Sequence, residues 1–324
     1  MKIHIIYEFK EGPWGGANQF LKTLKLQLAK RNMYEEEVEK ADVALFNSHH
    51  CLKKVLALKK KYLRMLFIHR IDGPVSLVRG HKSTIDNVIY EYNRLIADAT
   101  IFQSQWSLRE NYAYGMSHND FETVITNVPD PTIFYPLKDK SIPNQRKMRL
   151  IATSWSANMR KGFDIYKYLD DHLDFKQYEM TFVGNSPIRF NNIQHVVPQP
   201  SDKLADLLRA HDMFITASMN DPCSNSLIEA LSCGLPAVVR NSGGLPEIVG
   251  KGGISFEEPH DVLTAITQMR DHLAQYRAAI TIRDSDTAIN AYYAFCKEMY
   301  DRVQAGTYTP KKLSFLNFWR LKFI

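Results

Sequence analysis

The chain is poor in the features that would assign it to a simple class. Four cysteines, Cys51, Cys223, Cys233 and Cys296, are spread through 324 residues. Their spacing fits no metal-ligand pattern and no disulfide framework, so reduced thiols in a cytosolic protein are expected. No apolar run is long enough to cross a bilayer. No signal-peptide pattern opens the chain: residues 1–7 read as a strand, and Glu8 stands where small residues would be needed. A G-x-G-x-x-G run is missing, which removes the dinucleotide fingerprint. There is no internal repeat of fixed period and no low-complexity tract. Neither charge sign dominates: 41 basic and 35 acidic residues leave a net +6. That balance admits an anionic partner without choosing among nucleotide, phospholipid and nucleic acid.

What remains is ordinary globular composition, 45% hydrophobic. The length exceeds one typical core, so two domains are expected. Apolar runs at 2–7, 42–46, 65–68, 99–103 and 124–126 read as strands, and 17–30 and 85–97 read as helices. A second series of strands follows at 150–154, 181–184, 195–199, 213–217 and 237–239. Helices are expected at 201–210, 226–233, 260–276 and 287–305, and another begins near Gln105. Such alternation implies parallel sheets. The polar, Pro-containing stretch 137–147, LKDKSIPNQRK, reads as a linker. The expected division is 1–146, 147–290 and a terminal segment 291–324.

One stretch, 221–247 (DPCSNSLIEALSCGLPAVVRNSGGLPE), carries most of the chemistry. Pro222 biases Asp221 toward extended geometry. Ser224 or Asn225 suits the cap of a short helix, and Gly234 with Pro236 stops it. Free N–H groups at Ser226 and Leu227 then make an anion site. Glu229 lies one turn in, flanking that site. A carboxylate there repels phosphate unless it meets neutral hydroxyls, which a ribose supplies. Asp221, on the other side, is placed to accept from a sugar. The pattern suits a nucleotide diphospho-sugar better than a bare nucleotide.

The same stretch resembles the E-x7-E region of retaining GT-B glycosyltransferases. Asp221 stands at the first acidic position and Glu229 at the second, with Cys233-Gly234-Leu235-Pro236 and Gly243-Gly244-Leu245-Pro246-Glu247 as flanking pieces. Further matches are Gly15-Gly16 in the first strand–helix loop and Arg160-Lys161-Gly162 in the loop after 150–154. The segment from Asn127 to Pro136 is similar to the family's N-x-V-D-x-x-x-F-x-P run. That segment departs from the family in Pro131 and in the proline before Asp130, and the strand end Thr181–Gly184, which resembles the family's V-G-x-G-P, lacks the second glycine.

The resemblance implies a GT-B fold, α/β, with two Rossmann-like domains whose parallel sheets face across a cleft. It implies a retaining glycosyltransferase that moves a sugar from a nucleotide diphosphate donor to a glycan, lipid-linked or other hydroxyl acceptor. No metal and no cofactor beyond that co-substrate are expected. Gly15, Gly16, Arg160, Lys161, Ser226 and Leu227 would hold the donor phosphates, and two adjacent cations suit a diphosphate on their own chemistry. Glu229 would hold the ribose and Asp221 the donor sugar. His69 would shape the sugar pocket. Arg70 and Asp72 either pair with each other or face the acceptor. The pair His49-His50 is weak evidence for metal.

The tail, 311–324 (KKLSFLNFWRLKFI), is basic and aromatic. It suits either an anionic membrane surface or packing as a terminal arm on protein. A cytoplasmic protein, with peripheral contact at the inner membrane face through this tail, is the corresponding expectation. No nucleic-acid partner is expected. Two other functions fit the same fold: a nucleotide-sugar epimerase, which needs an acid/base pair at the sugar, and a non-catalytic subunit. Cys223-Ser224, where Phe-Gly is frequent in the family, motivates the second.

Overall fold

A computed structural model describes residues 1–12, 14–138, 146–282 and 284–324. Most of the expected linker, 139–145, thus lies outside the described residues. The chain divides into two units. Unit one holds Met1–Lys10, Leu21–Thr126 and Asp286–Ile324, and unit two holds Glu11–Phe20 and Asn127–Ser285.

Unit one is built on a parallel sheet of β1 (Ile3–Ile6), β2 (Val43–Asn47), β3 (Leu66–Ile71), β4 (Ala99–Phe102) and β5 (Glu122–Val124), in that spatial order. Every residue of β1 to β4 is buried. Strands covered on both faces read as continuous apolar runs, which is why the sequence shows them. The helices of this unit are α1 (Gly16–Lys30, whose first residues belong to unit two), α2 (Leu52–Lys61), α3 (Val75–Arg79), α4 (Ile85–Ile96) and α5 (Gln105–Ala113).

Unit two has β6 (Met148–Ser154), β7 (Tyr178–Gly184), β8 (Gln194–Val196), β9 (Met213–Thr216), β10 (Ala237–Arg240) and β11 (Gly253–Phe256). Its spatial order is β11-β10-β9-β6-β7-β8, all parallel. The chain runs outward from β6 to β8, then returns to the other side of β6 and runs outward again. The order therefore reverses between β6 and β9. Its helices are α6 (Phe163–His172), α7 (Ser201–Ala210), α8 (Asn225–Ser232), α9 (Leu245–Val249), α10 (Asp261–Asp271) and α11 (Leu273–Ala278). Phe163, Tyr166 and Phe182 pack ring against ring in its core.

After unit two the chain rejoins unit one as α12 (Ser285–Gln304) and α13 (Phe315–Phe323). The return is anchored on Asp98, a fully buried carboxylate. It accepts from Lys59 Nζ (3.2 Å), the Phe67 amide (2.8 Å), Tyr308 Oη (3.0 Å) and the Lys311 amide (2.7 Å). A buried charge is tolerable only when paired and bonded in this way.

Three expectations are corrected here. The strand expected to end at Ile68 continues to Ile71. The segment 260–276 is two helices rather than one, broken at His272, whose backbone leaves the helical region (φ −125°, ψ 25°). The fifth strand of unit one lies two residues earlier than expected, at Glu122–Val124.

Candidate functional site

In open parallel sheets the loops beyond the strand ends part where the strand order reverses, and ligands bind in that crevice. In unit two the crevice lies beyond β6 and β9. Three loops meet there: 155–162 after β6, 217–224 after β9 and 241–244 after β10. Backbone bonds tie them together. The Met219 amide donates to the Arg160 carbonyl (2.8 Å) and the Gly244 amide to the Asp221 carbonyl (2.8 Å). The Asn220 amide donates to Ser242 Oγ (2.9 Å).

The first loop carries the two cations. Asn158 caps a short 3₁₀ turn, Met159–Lys161, by accepting from the Arg160 amide (2.9 Å). Gly162 ends the turn at φ +93°, pressed against Ala217, and a side chain would fit neither that angle nor that space. Lys161 Nζ reaches Asp221 Oδ2 at 2.8 Å. Asp221 Oδ1 accepts from the Cys223 amide (3.2 Å). Arg160 differs from Lys161: its Nε is buried and has no hydrogen-bond partner. Such a donor costs about 1–3 kcal/mol until something accepts from it.

The second loop leads into α8. Ser224 is its N-cap, and its Oγ accepts from the Leu227 amide (3.4 Å). This revises one expectation: the Leu227 N–H is turned toward its own cap, and its side chain is core. The Ser226 amide has no partner among the described residues. Glu229 follows one turn on, half-buried. Its carboxyl has no hydrogen bond among the described residues, and burial pushes it up to about 8.

The glycine loop after β1 belongs to unit two. Gly16 lies so close to the Asn225 side chain that a Cβ has no room. Gly15 faces Trp155, and the Trp14 and Trp155 rings are 5.8 Å apart. Asn225 Oδ1 also accepts from Asn127 Nδ2 (2.8 Å). The structure thus brings Gly15, Gly16, Arg160, Lys161, Asp221, Ser226 and Glu229 to one end of one sheet.

His69 is not among them. It belongs to the interior of β3, paired across to Phe46 and Thr100, and is fully buried. Its Nε2 donates to the Ser48 carbonyl (3.0 Å), and its Nδ1 accepts from Asn93 Nδ2 (3.3 Å). Its ring stacks on Phe46 at 4.0 Å, and burial pushes its pKa down to about 3. No ring nitrogen is left for a sugar, so the expectation that His69 shapes the sugar pocket is replaced by a structural role. Arg70, also fully buried, donates to Tyr292 Oη (3.2 Å), Asn47 Oδ1 and Asp72 Oδ1 (3.3 Å). Of the two readings left open for Arg70 and Asp72, they pair with each other.

The sequence reading missed Ser242, Trp155 and Arg240 in unit two. Arg240 joins β10 to α6 through Asp164 (2.7 Å) and donates to the Ala217 carbonyl (3.3 Å). The available signal for Trp155 was a large aromatic immediately after a strand end.

Residues 167–272 match the family described as Glycosyl transferases group 1. A glycogen synthase from Protochlamydia amoebophila is 29% identical over 126 residues, 31% of this chain and 25% of that protein. The N-acetyl-alpha-D-glucosaminyl L-malate synthase of Bacillus anthracis is 20% identical over 250 residues, 71% of this chain and 65% of that protein. The chain therefore spans about a quarter of the first of these relatives and less than two thirds of the second. Among solved structures, a sucrose-phosphate synthase from Thermosynechococcus elongatus superposes with a TM-score of 0.71 at 14% identity, covering 94% of this chain and 100% of that one. Anabaena HepE, solved with UDP-glucose, gives 0.66 at 15% identity, covering 94% and 99%. The chain has the GT-B fold, and within unit two residues 167–272 resemble the group 1 glycosyl transferases.

Proposed function

We propose that this protein is a retaining glycosyltransferase that uses a nucleotide diphospho-sugar donor. The observation that carries the reading is a pair of groups without hydrogen-bond partners, a donor and a carboxyl, where the strand order of unit two reverses. Arg160 Nε is a buried donor with nothing to donate to. The Glu229 carboxyl, half-buried, has no hydrogen bond among the described residues. A diphosphate answers the first, and the two hydroxyls of a ribose answer the second.

In this reading Arg160, the Ser226 amide and Lys161 hold the diphosphate and stabilise the charge that develops as it leaves. Such fixed donors are often the largest catalytic term. Asp221 orients Lys161 and lies beside the donor sugar. The bond from the anomeric carbon to the phosphate oxygen breaks, and the acceptor oxygen bonds to the same face of that carbon. The acceptor proton passes to the leaving phosphate. The cations and amides do the neutralising, so turnover is expected to survive chelation of divalent metal. A glycan, a lipid-linked sugar or another hydroxyl compound serves as acceptor.

A thermal-shift series with UDP-, ADP- and GDP-sugars tests this. A true donor at 100 times its dissociation constant adds about 2.7 kcal/mol of stability. One donor class should stabilise the chain saturably, and Arg160→Ala should abolish the shift at the same concentration. If no nucleotide sugar shifts the transition, or Arg160→Ala shifts like the parent, the reading is wrong.

A further inference from the structure

Unit one carries a chemically different surface, formed by α13 with α2. The inner edge of α13 is fixed to its own unit. Leu321 is buried, its carbonyl accepts from Tyr92 Oη (3.2 Å), and Phe318 packs on the same cluster. The outer edge is bare. Phe315, Leu316 and Phe323 are 75%, 79% and 77% exposed, and Trp319 is 37% exposed. At about 100° per residue these four side chains share an arc roughly 100° wide. Trp319 stacks on Phe323 at 5.6 Å, and Phe315 meets the Trp319 edge at 6.0 Å. Single exposed apolar residues need no explanation, but a contiguous row on one helix does.

Charge narrows what can cover it. No acidic residue follows Asp301, and none occurs from Leu52 to Arg64. On α2, Val55, Leu56 and Lys59 are buried, while Lys53, Lys54, Lys60 and Lys61 face outward. Lys60 Nζ lies 4.7 Å over the Phe318 ring, so this lysine face borders the aromatic helix. Lys322 Nζ lies 4.4 Å over Trp319. Lys53, Lys54, Lys60 and Lys322 form no ion pair among the described residues. A second copy would bring the same lysines against these and repel. No helix among the described residues is long and apolar enough to cross a membrane, so the row is built to lie on a surface rather than to span.

We propose that α13 and the outer face of α2 form a docking surface for an anionic lipid bilayer. Phe315, Leu316, Trp319 and Phe323 enter the boundary between headgroups and acyl chains, and Lys53, Lys54, Lys60 and Lys322 meet the lipid phosphates. A preformed apolar row with basic neighbours is the combination that gives peripheral binding. This surface lies in unit one and stands independently of the nucleotide-sugar reading of unit two.

Co-sedimentation of the full chain with vesicles tests it. The vesicles are pure phosphatidylcholine, or about three parts phosphatidylcholine to one of phosphatidylglycerol, a negative surface of the relevant kind. The chain should pellet with the anionic vesicles only, and less as salt rises. Trp319→Ser with Phe323→Ser should lower the bound fraction about ten-fold, with the thermal transition unchanged. Lys53→Gln, Lys54→Gln and Lys60→Gln together should lower it about as much, each cation contributing near the surface. Equal pelleting with both vesicle types overturns the proposal. So does parental binding by the aromatic variant, or a dimer that Trp319→Ser dissolves in a chain that ignores vesicles.

Discussion

The two sheets are made alike and ordered differently. Unit one stacks its strands in sequence order, whereas unit two reverses between β6 and β9. Where order is sequential, each strand end sits beside the next and the polar groups along the rim serve one another. Arg70 and Gln103 both donate to Asp72, and His69 bonds to the Ser48 carbonyl. Asn47 Nδ2 and His49 Nδ1 are the buried side-chain atoms there that lack a partner among the described residues. Where order reverses, Arg160 Nε and the Glu229 carboxyl have no hydrogen-bond partner among the described residues. Both His69 and Glu229 are pushed toward neutrality by burial. A perturbed pKa alone therefore does not mark a site. Nor does one unsatisfied atom alone, since Asn47 and His49 carry such atoms too; what sets unit two apart is that Arg160 and Glu229 both lack partners where the strand order reverses.

The contrast can be broken first at His69. His69→Ala removes a stacked ring and two buried hydrogen bonds. It should cost about 2–4 kcal/mol in a denaturant titration, with donor affinity within two-fold of the parent. A large loss of donor affinity in a chain that remains as stable would restore His69 to the site. The same residue gives a pH signature. Its pKa falls from 6.5 to about 3 on folding, so the unfolded chain binds more protons below 6.5. Its contribution is full above that pH and is lost as pH drops toward 3.

Arg160→Ala comes next. Charge-assisted bonds are worth roughly 1.5–3 kcal/mol, so donor affinity by calorimetry should fall about ten-fold or more. The chain's own stability should fall little, because the side chain makes no ion pair to lose. Glu229→Gln sharpens the comparison in the opposite sense. The carboxyl goes from 4.5 to about 8 on folding, so above pH 4.5 the unfolded state ionises first and stability declines until about pH 8. Gln escapes that decline. The variant should melt higher than the parent, by a margin that grows from pH 5 to 8 and then levels. Its donor affinity should be about ten-fold weaker, and the parent's affinity should rise toward pH 8 where the variant's does not. The smallest effect is expected at Asp221→Asn. It loosens Lys161 and should reduce turnover a few-fold more than donor affinity, since the Lys161 hydrogen bond is only partly lost.

Much of unit two could be read from residues because its signals are local. Ser224, Gly234 and Pro236 punctuate α8, and Arg160-Lys161-Gly162 sits at a strand end. The order of strands could not be read, since parallel neighbours are set by crossovers rather than by adjacent sequence. His69 was misplaced for a related reason. The apolar run stops at Ile68, but β3 continues through His69 and Arg70 because neighbouring Asn93, Ser48, Asn47 and Tyr292 supply their hydrogen bonds. Nothing near them in sequence announces that. Likewise α2 (LKKVLALKKK) is lysine-rich and hides Val55, Leu56 and Lys59 as its buried edge, while β11 opens on glycine and is short.

The return of residues 286–324 to unit one has a consequence for how the protein is made. The sheet that leaves the ribosome first has the Lys59 and Phe67 partners of Asp98 Oδ2, but those of Oδ1, Tyr308 and Lys311, emerge some two hundred residues later. Contacts so distant along the chain form slowly. Unit two, nearly contiguous, can fold during translation while unit one waits half-finished, with a buried-to-be carboxylate and its apolar surround open to a chaperone.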